Sequence, residues 1–232
     1  MTLQKAALIT GSAKRMGADM ALYLASLGYD IALHYHHSQE EATKLAEAIE
    51  STGQICYLFA SDLSQSTEIM ILMQKVLQKL PYLNVLINNA SIYPRIPFVD
   101  TQEELFDSCM NLHVKAPFFL TQHFAKGVQA GVIINVLDTQ IRQNLTHHFA
   151  YQLSKQALFH LTEMSAKVLG PSIRVNAIAP GMILEPVDLQ GTLLPSSNHR
   201  RKVPLQRKGS LEDIRQALHF LLTHPYLTGQ VL

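Results

Sequence analysis

The chain has 232 residues, 47% of them hydrophobic, and a formal charge of +1. That length and apolar content suit one continuous core in a single domain over 1–232, and the near-neutral charge offers no clustered basic excess for nucleic acid or an anionic membrane surface. No apolar run is long enough to span a bilayer and the start Met1-Thr2-Leu3-Gln4-Lys5 lacks the layout of a signal peptide; Cys56 and Cys109 form no CxxC pair or zinc-type cluster, so buried free thiols, no metal and a cytoplasmic location are expected.

Short β-rich runs alternate with helical patterns. Residues 6–10 predict a strand, and 16–27 a helix that Gly28 can terminate; 31–35 with 40–49, then 55–60 with 67–80, repeat the pair. Further strands at 85–87, 132–136 and 175–178 are short and apolar, as strands buried on both faces must be, and helices are predicted over 102–126 and 149–169. Joined by right-handed crossovers, this alternation predicts an α/β, Rossmann-type doubly wound parallel sheet of about seven strands with helices on both faces. Residues 185–204 break the pattern with three prolines, a Ser196-Ser197-Asn198 turn cluster and a basic run at Arg200-Arg201-Lys202, and form a candidate substrate lid.

The first strand runs into Thr10-Gly11-Ser12-Ala13-Lys14-Arg15-Met16-Gly17 and then a helix. Glycine at such a turn lets a pyrophosphate approach the backbone and sit on the unpaired amides of the helix N-terminus. The same spacing also serves an ordinary tight turn; its position after the first strand and before the first helix favours the dinucleotide reading, with Gly11, Arg15 and Met16 as candidate contacts. The second strand ends Leu33-His34-Tyr35-His36-His37-Ser38, without the acidic residue that would bind a ribose 2′-hydroxyl. His36, His37 and Ser38, joined by Arg15, can instead donate to a 2′-phosphate, which favours NADPH/NADP; a solvated strand end is the alternative. Asp62 can accept from an adenine amino group or cap the following helix.

On the helix at 149–169, Tyr151 and Lys155 lie four residues apart and share a face. An ammonium beside a phenol stabilises the phenolate and brings it toward neutral pH, although the pair alone also fits an amphipathic helix with a surface lysine. The glycine turn, Asn88-Asn89-Ala90-Ser91 after the fourth strand, Tyr151-Gln152-Leu153-Ser154-Lys155 and Ile178-Ala179-Pro180-Gly181 after the sixth occur in an order that resembles the short-chain dehydrogenase/reductase family over nearly the whole chain. The resemblance implies that Asn89 and Ala90 line the cofactor cleft, that Lys155 also binds the nicotinamide ribose, and that Pro180 and Gly181 pack by the nicotinamide.

Two positions depart from the common family pattern. Asp138 stands where a catalytic serine is usual, and His113 replaces an asparagine; Asn111, two residues earlier, is out of register. An aspartate there is similar to the pteridine reductases and dihydromonapterin reductases, as is the arginine in the glycine turn. That resemblance implies hydride transfer from NADPH to a dihydropterin, with Asp138, Tyr151 and Lys155 catalytic and with Arg15, Tyr93, Asp138 and Tyr151 against the substrate. A carboxylate suits a pterin's amino and ring N–H donors, while a turn-capping role for Asp138 is the alternative. Tyr93 can stack on the pterin or anchor its loop against Pro94 and Pro97. Reduction of a carbonyl substrate, or non-catalytic NADP binding, are the competing functions. A homo-oligomer, tetramer or dimer, is expected, and the end at Thr228-Gly229-Gln230-Val231-Leu232 implies a shortened seventh strand or a truncated chain.

Overall fold

The computed structural model describes residues 4–142, 147–185 and 203–232. Strands β1 (Ala6–Ile9), β2 (Asp30–Tyr35), β3 (Cys56–Ala60), β4 (Leu83–Asn88), β5 (Gly131–Val136) and β6 (Ile173–Ile178) form one sheet in the order β3-β2-β1-β4-β5-β6. All five pairings are parallel. Around them lie helices α1 (Arg15–Ser26), α2 (Gln39–Glu50), α3 (Ser66–Lys79), α4 (Glu103–Met110), α5 (Ala116–Gly127), α6 (Phe149–Leu169) and α7 (Leu211–Thr223). This is the expected doubly wound fold, whose strand order reverses between β1 and β4.

Alternate side chains of each strand feed opposite cores. Ala7 and Ile9 of β1 pack with Met20 and Leu24 of α1, Ile49 of α2 and Leu218 of α7. Ala6 and Leu8 face the other way, toward Ile69 and Met73 of α3 and Leu120 and Phe124 of α5. With helices covering both faces, β1 can be apolar at every position, and all four of its residues are fully buried.

Three expectations change. The sheet has six strands among the described residues; the seventh is reduced to one parallel bridge, Ala177 opposite Val231. Around it the Gly229 N–H donates to the Val175 carbonyl (2.7 Å), the Ala177 N–H to that of Gln230 (2.8 Å) and the Ala179 N–H to that of Leu232 (2.7 Å). The predicted helix over 102–126 is interrupted by a π-helical turn, Asn111–Lys115, whose wider winding carries His113 into the interior. Helix α7 was not expected at all, although Ser210 and Asp213 form a capping box at its start and Ile214, Leu218 and Leu221 repeat at helical spacing. Of the candidate lid over 185–204, residues 186–202 lie outside the described residues.

Candidate active site

A cleft of about 720 Å³ opens at the carboxyl ends of the strands, where their order reverses. Its wall includes Gly11, Arg15, Met16, His36, Asp62, Asn89 and Ala90 from the sequence-predicted set, together with Lys14, Gly17, His34 and Ser61. His37, Ser38, Tyr93, Asp138, Tyr151, Lys155, Pro180 and Gly181 do not line it.

The glycine turn is locked onto the end of β4. Thr10 Oγ1 accepts the backbone N–H groups of Asn89 (2.9 Å) and Ala90 (3.0 Å), and Asn89 Nδ2 donates to the carbonyls of Thr10 (2.8 Å) and Gly11 (3.1 Å). Gly11 has φ +59°, and a Cβ on it would stand 2.9 Å from Ala90 Cα, so a larger residue meets both strain and collision. The first turn of α1 carries no acidic residue to compete with an anion for its free amides. The cradle therefore fits a dinucleotide pyrophosphate. Arg15, also in the left-handed region at φ 57°, sends its Nη2 to the Glu185 carbonyl (2.6 Å), in the segment after β6. On the α2 side the cation is Lys14, paired with Glu41 at 2.6 Å. His36 and His37 lie with ring centroids 3.5 Å apart, but only His36 reaches the wall. Asp62 accepts from Ser64 through both oxygens (2.9 and 2.8 Å), so it caps its own turn rather than the start of α3. Burial opposes its charge, yet these hydrogen bonds prevail and hold its pKa below the usual range.

His34 was quoted in the sequence only as part of a strand. Its buried ring accepts the Gly11 N–H at Nδ1 (3.0 Å), while Nε2 lies 3.1 Å from the Ser61 carbonyl, tying the glycine turn to the end of β3. Burial lowers its pKa to about 4. A polar residue in an otherwise apolar, doubly covered strand was the available signal.

Beyond Ser91 and Ile92 on the cleft wall, Asp138, Tyr151 and Lys155 come together. Tyr151 donates to Asp138 Oδ2 at 2.8 Å, and Asp138 Oδ1 accepts the Gln140 N–H at 2.7 Å. One carboxylate thus caps its own turn and also holds the Tyr151 hydroxyl. Lys155 Nζ donates to the Val136 carbonyl (2.8 Å) and stands 5.9 Å from the centre of the Tyr151 ring; burial pushes its pKa down to about 8. The expected lowering of the phenol pKa is reversed here: burial, then the charge of Asp138 and its hydrogen bond, push Tyr151 well above its usual range. The phenol is held as an acid. Tyr93 stacks on His148 (centroids 4.2 Å, 19°) and meets Tyr151 edge-on (4.8 Å, 89°), while His148 Nδ1 donates to the Pro94 carbonyl at 2.7 Å. Tyr93 thus packs on His148 and borders the phenol. Among the described residues no cluster of His, Cys, Asp and Glu is arranged to hold a metal, and no helix is long and apolar enough to cross a membrane.

The family model for short chain dehydrogenase matches residues 5–193. The 3-oxoacyl-[acyl-carrier-protein] reductase FabG of Staphylococcus aureus is 28% identical, over 100% of this chain and 97% of its own length. The crystal structure of FolM, alternative dihydrofolate reductase 1, from Brucella suis in complex with NADP is similar with a TM-score of 0.89 and 29% identity, covering 99% of this chain and 92% of that one. That of acetoin dehydrogenase YohF from Salmonella typhimurium is similar with a TM-score of 0.89 and 29% identity, covering 99% and 94%.

Proposed function

Because the chain belongs to the short-chain dehydrogenase family, we propose that it is an NADP-dependent oxidoreductase that reduces a dihydropterin, with Tyr151, Lys155 and Asp138 handling the proton. The observation that carries the pterin reading is the 2.8 Å hydrogen bond from Tyr151 to Asp138, a carboxylate where the family's usual residue is a hydroxyl.

When bound, the reduced dinucleotide supplies the hydride. Gly11, Asn89 and Ala90 shape its pyrophosphate cradle, with Met16 beside them on the wall; Lys14 and His36 flank the adenosine side, with His37 and Ser38 adjacent in sequence. Tyr151, kept protonated by burial and by Asp138, delivers a proton to the ring nitrogen next to the carbon that is reduced. Asp138, partly open to solvent, accepts an N–H of the substrate and relays a proton taken from solvent to the phenolate. Lys155, its ammonium on the Val136 carbonyl, would bind the ribose and oppose the charge left on Tyr151. Pro180, tied to the Asp138 turn by the Thr139 N–H (3.2 Å), would with Gly181 pack by the nicotinamide beyond the present cleft wall. Arg15 and Tyr93 border the substrate. The reading is completed by one domain, a cytoplasmic location and a dimer or tetramer, the last supported by the exposed aromatics Phe98, Phe106 and Phe149. Likeness to FabG and to acetoin dehydrogenase favours a second reading, reduction of a carbonyl.

NADPH oxidation with 7,8-dihydrobiopterin, diacetyl and a 3-oxoacyl thioester separates the two. We expect the pterin to be preferred in kcat/KM. Tyr151→Phe should lower turnover by at least about a hundredfold with NADPH affinity kept, and Asp138→Ser should lower pterin turnover selectively. Preference for a carbonyl, or a pterin rate untouched in Asp138→Ser, overturns the pterin reading.

A further inference from the structure

His113 occupies the middle of the π-helical turn between α4 and α5 and is 1% exposed. Burial first, and then the charge of Lys155, push its pKa well below the usual imidazole range. It is therefore neutral, with one N–H and one lone pair to offer. Nε2 accepts the backbone N–H of Ile92 (3.2 Å) and lies 3.0 Å from Ser91 Oγ. Because a backbone amide can only donate, the lone pair is on Nε2 and the proton on Nδ1. Nδ1 then donates to Ser154 Oγ at 2.8 Å, and Ser154 Oγ donates to the Tyr151 carbonyl at 2.7 Å. The imidazole also meets the Tyr151 ring edge-on, with centroids 5.5 Å apart at 87°.

An unbroken line of hydrogen bonds thus runs from the cleft wall at Ser91 and Ile92, through both ring nitrogens, to the backbone of Tyr151. An asparagine could serve the Ile92 amide, but it lacks a second nitrogen across the ring with which to reach Ser154. We propose that His113 is a positioning residue, a neutral strut that holds the Ser91–Ile92 segment and the Tyr151 turn of α6 at a fixed separation, so that the phenol stays aimed between Asp138 and the cleft. The inference rests on the reading of Tyr151 as proton donor. With both nitrogens committed, the imidazole carries no proton to or from the reaction. Its effect on rate is geometric.

Two measurements test this. In ¹⁵N-histidine NMR of the protein, His113 should remain the neutral Nδ1–H tautomer from pH 6 to 8; an imidazolium or an Nε2–H tautomer in that range overturns the strut. In steady-state assays with whichever of 7,8-dihydrobiopterin and diacetyl the parent reduces, His113→Asn and Ser154→Ala should each lower kcat by about ten- to a hundredfold. KM and NADPH affinity, the latter by fluorescence, should stay within about twofold if the loss lies in aiming the phenol rather than in binding. The double variant should be no worse than the poorer single one, because both substitutions cut the same line. Unchanged kcat in either single variant, or losses that multiply, overturn the proposal. Tyr151→Phe in the same assay distinguishes the failures: activity kept there removes the tyrosine and the strut's purpose together, whereas activity lost there but kept in Ser154→Ala removes only the strut.

Discussion

A methyl group on Gly17 would stand 2.6 Å from both Asn89 Nδ2 and the Gly11 carbonyl, and 2.8 Å from Ser12 Cα. Two of those neighbours are backbone and the third is the amide that holds the glycine turn on β4, so none can yield without disturbing the cradle. Gly17→Ala should therefore weaken NADPH binding by at least about tenfold, a loss of roughly 1.4 kcal/mol, measurable by nucleotide fluorescence; unchanged affinity would mean that the turn relaxes more easily than its contacts imply. At this scale the sequence was most informative where chemistry follows from local spacing. Tyr151 and Lys155 share a helical face whatever surrounds them, and Asp138 follows its strand by two residues. His34, Lys14, and the stack of Tyr93 on His148 were not read, because partners 23, 27, or 54 residues apart (His34 to Gly11, His34 to Ser61, and His148 to Pro94) meet only through packing. The raised pKa of Tyr151 was hidden for the same reason: spacing reveals that a lysine is near, but not that the phenol is buried with Asp138 bonded to it.

Helix α7 was open to sequence reasoning and was passed over. Ser210 Oγ accepts the Asp213 N–H at 3.3 Å, while Asp213 Oδ2 accepts the Ser210 N–H at 2.7 Å. Arg215 then binds Asp19 of α1 through Nε (2.9 Å) and Nη2, fastening α7 beside the helix that opens the cofactor cradle. Ser210→Ala removes one half of the cap and should destabilise the protein by about 1 kcal/mol in chemical denaturation, with catalytic parameters unchanged. A larger loss accompanied by weaker NADPH binding would mean that α7 supports α1 more than its cap suggests. The π-helical turn at Asn111–Lys115 is a different case. Its apolar periodicity reads as one continuous helix over 102–126, because a single extra residue per turn leaves no compositional mark; only the buried histidine within it points to something unusual.

Among the described residues, the imidazoles of His34 and His113 are enclosed in their uncharged form. An unfolded chain binds protons on them near the ordinary value of 6.5, whereas the folded protein protonates His34 only at about 4, and His113 is also held well below that ordinary value. The unfolded state therefore holds more protons than the native one as pH falls below 6.5, and native stability is lost through that window, by up to about 1.4 kcal/mol per pH unit for each ring. Guanidinium midpoints should fall steadily between pH 6.5 and 4.5, less steeply in His34→Asn; parallel slopes for variant and parent would exclude His34 as a source. The architecture itself was readable from βα alternation, since doubly covered strands must be apolar throughout, but the count of strands was not, because 229–232 lack the apolar length of a strand and still bond to β6. That marginal pairing has a practical side. The Leu232 carbonyl accepts the Ala179 N–H, and the next residue's carbonyl, on Pro180, accepts the Thr139 N–H, so a substitution or label at 229–232 would be felt at the turn that carries Asp138.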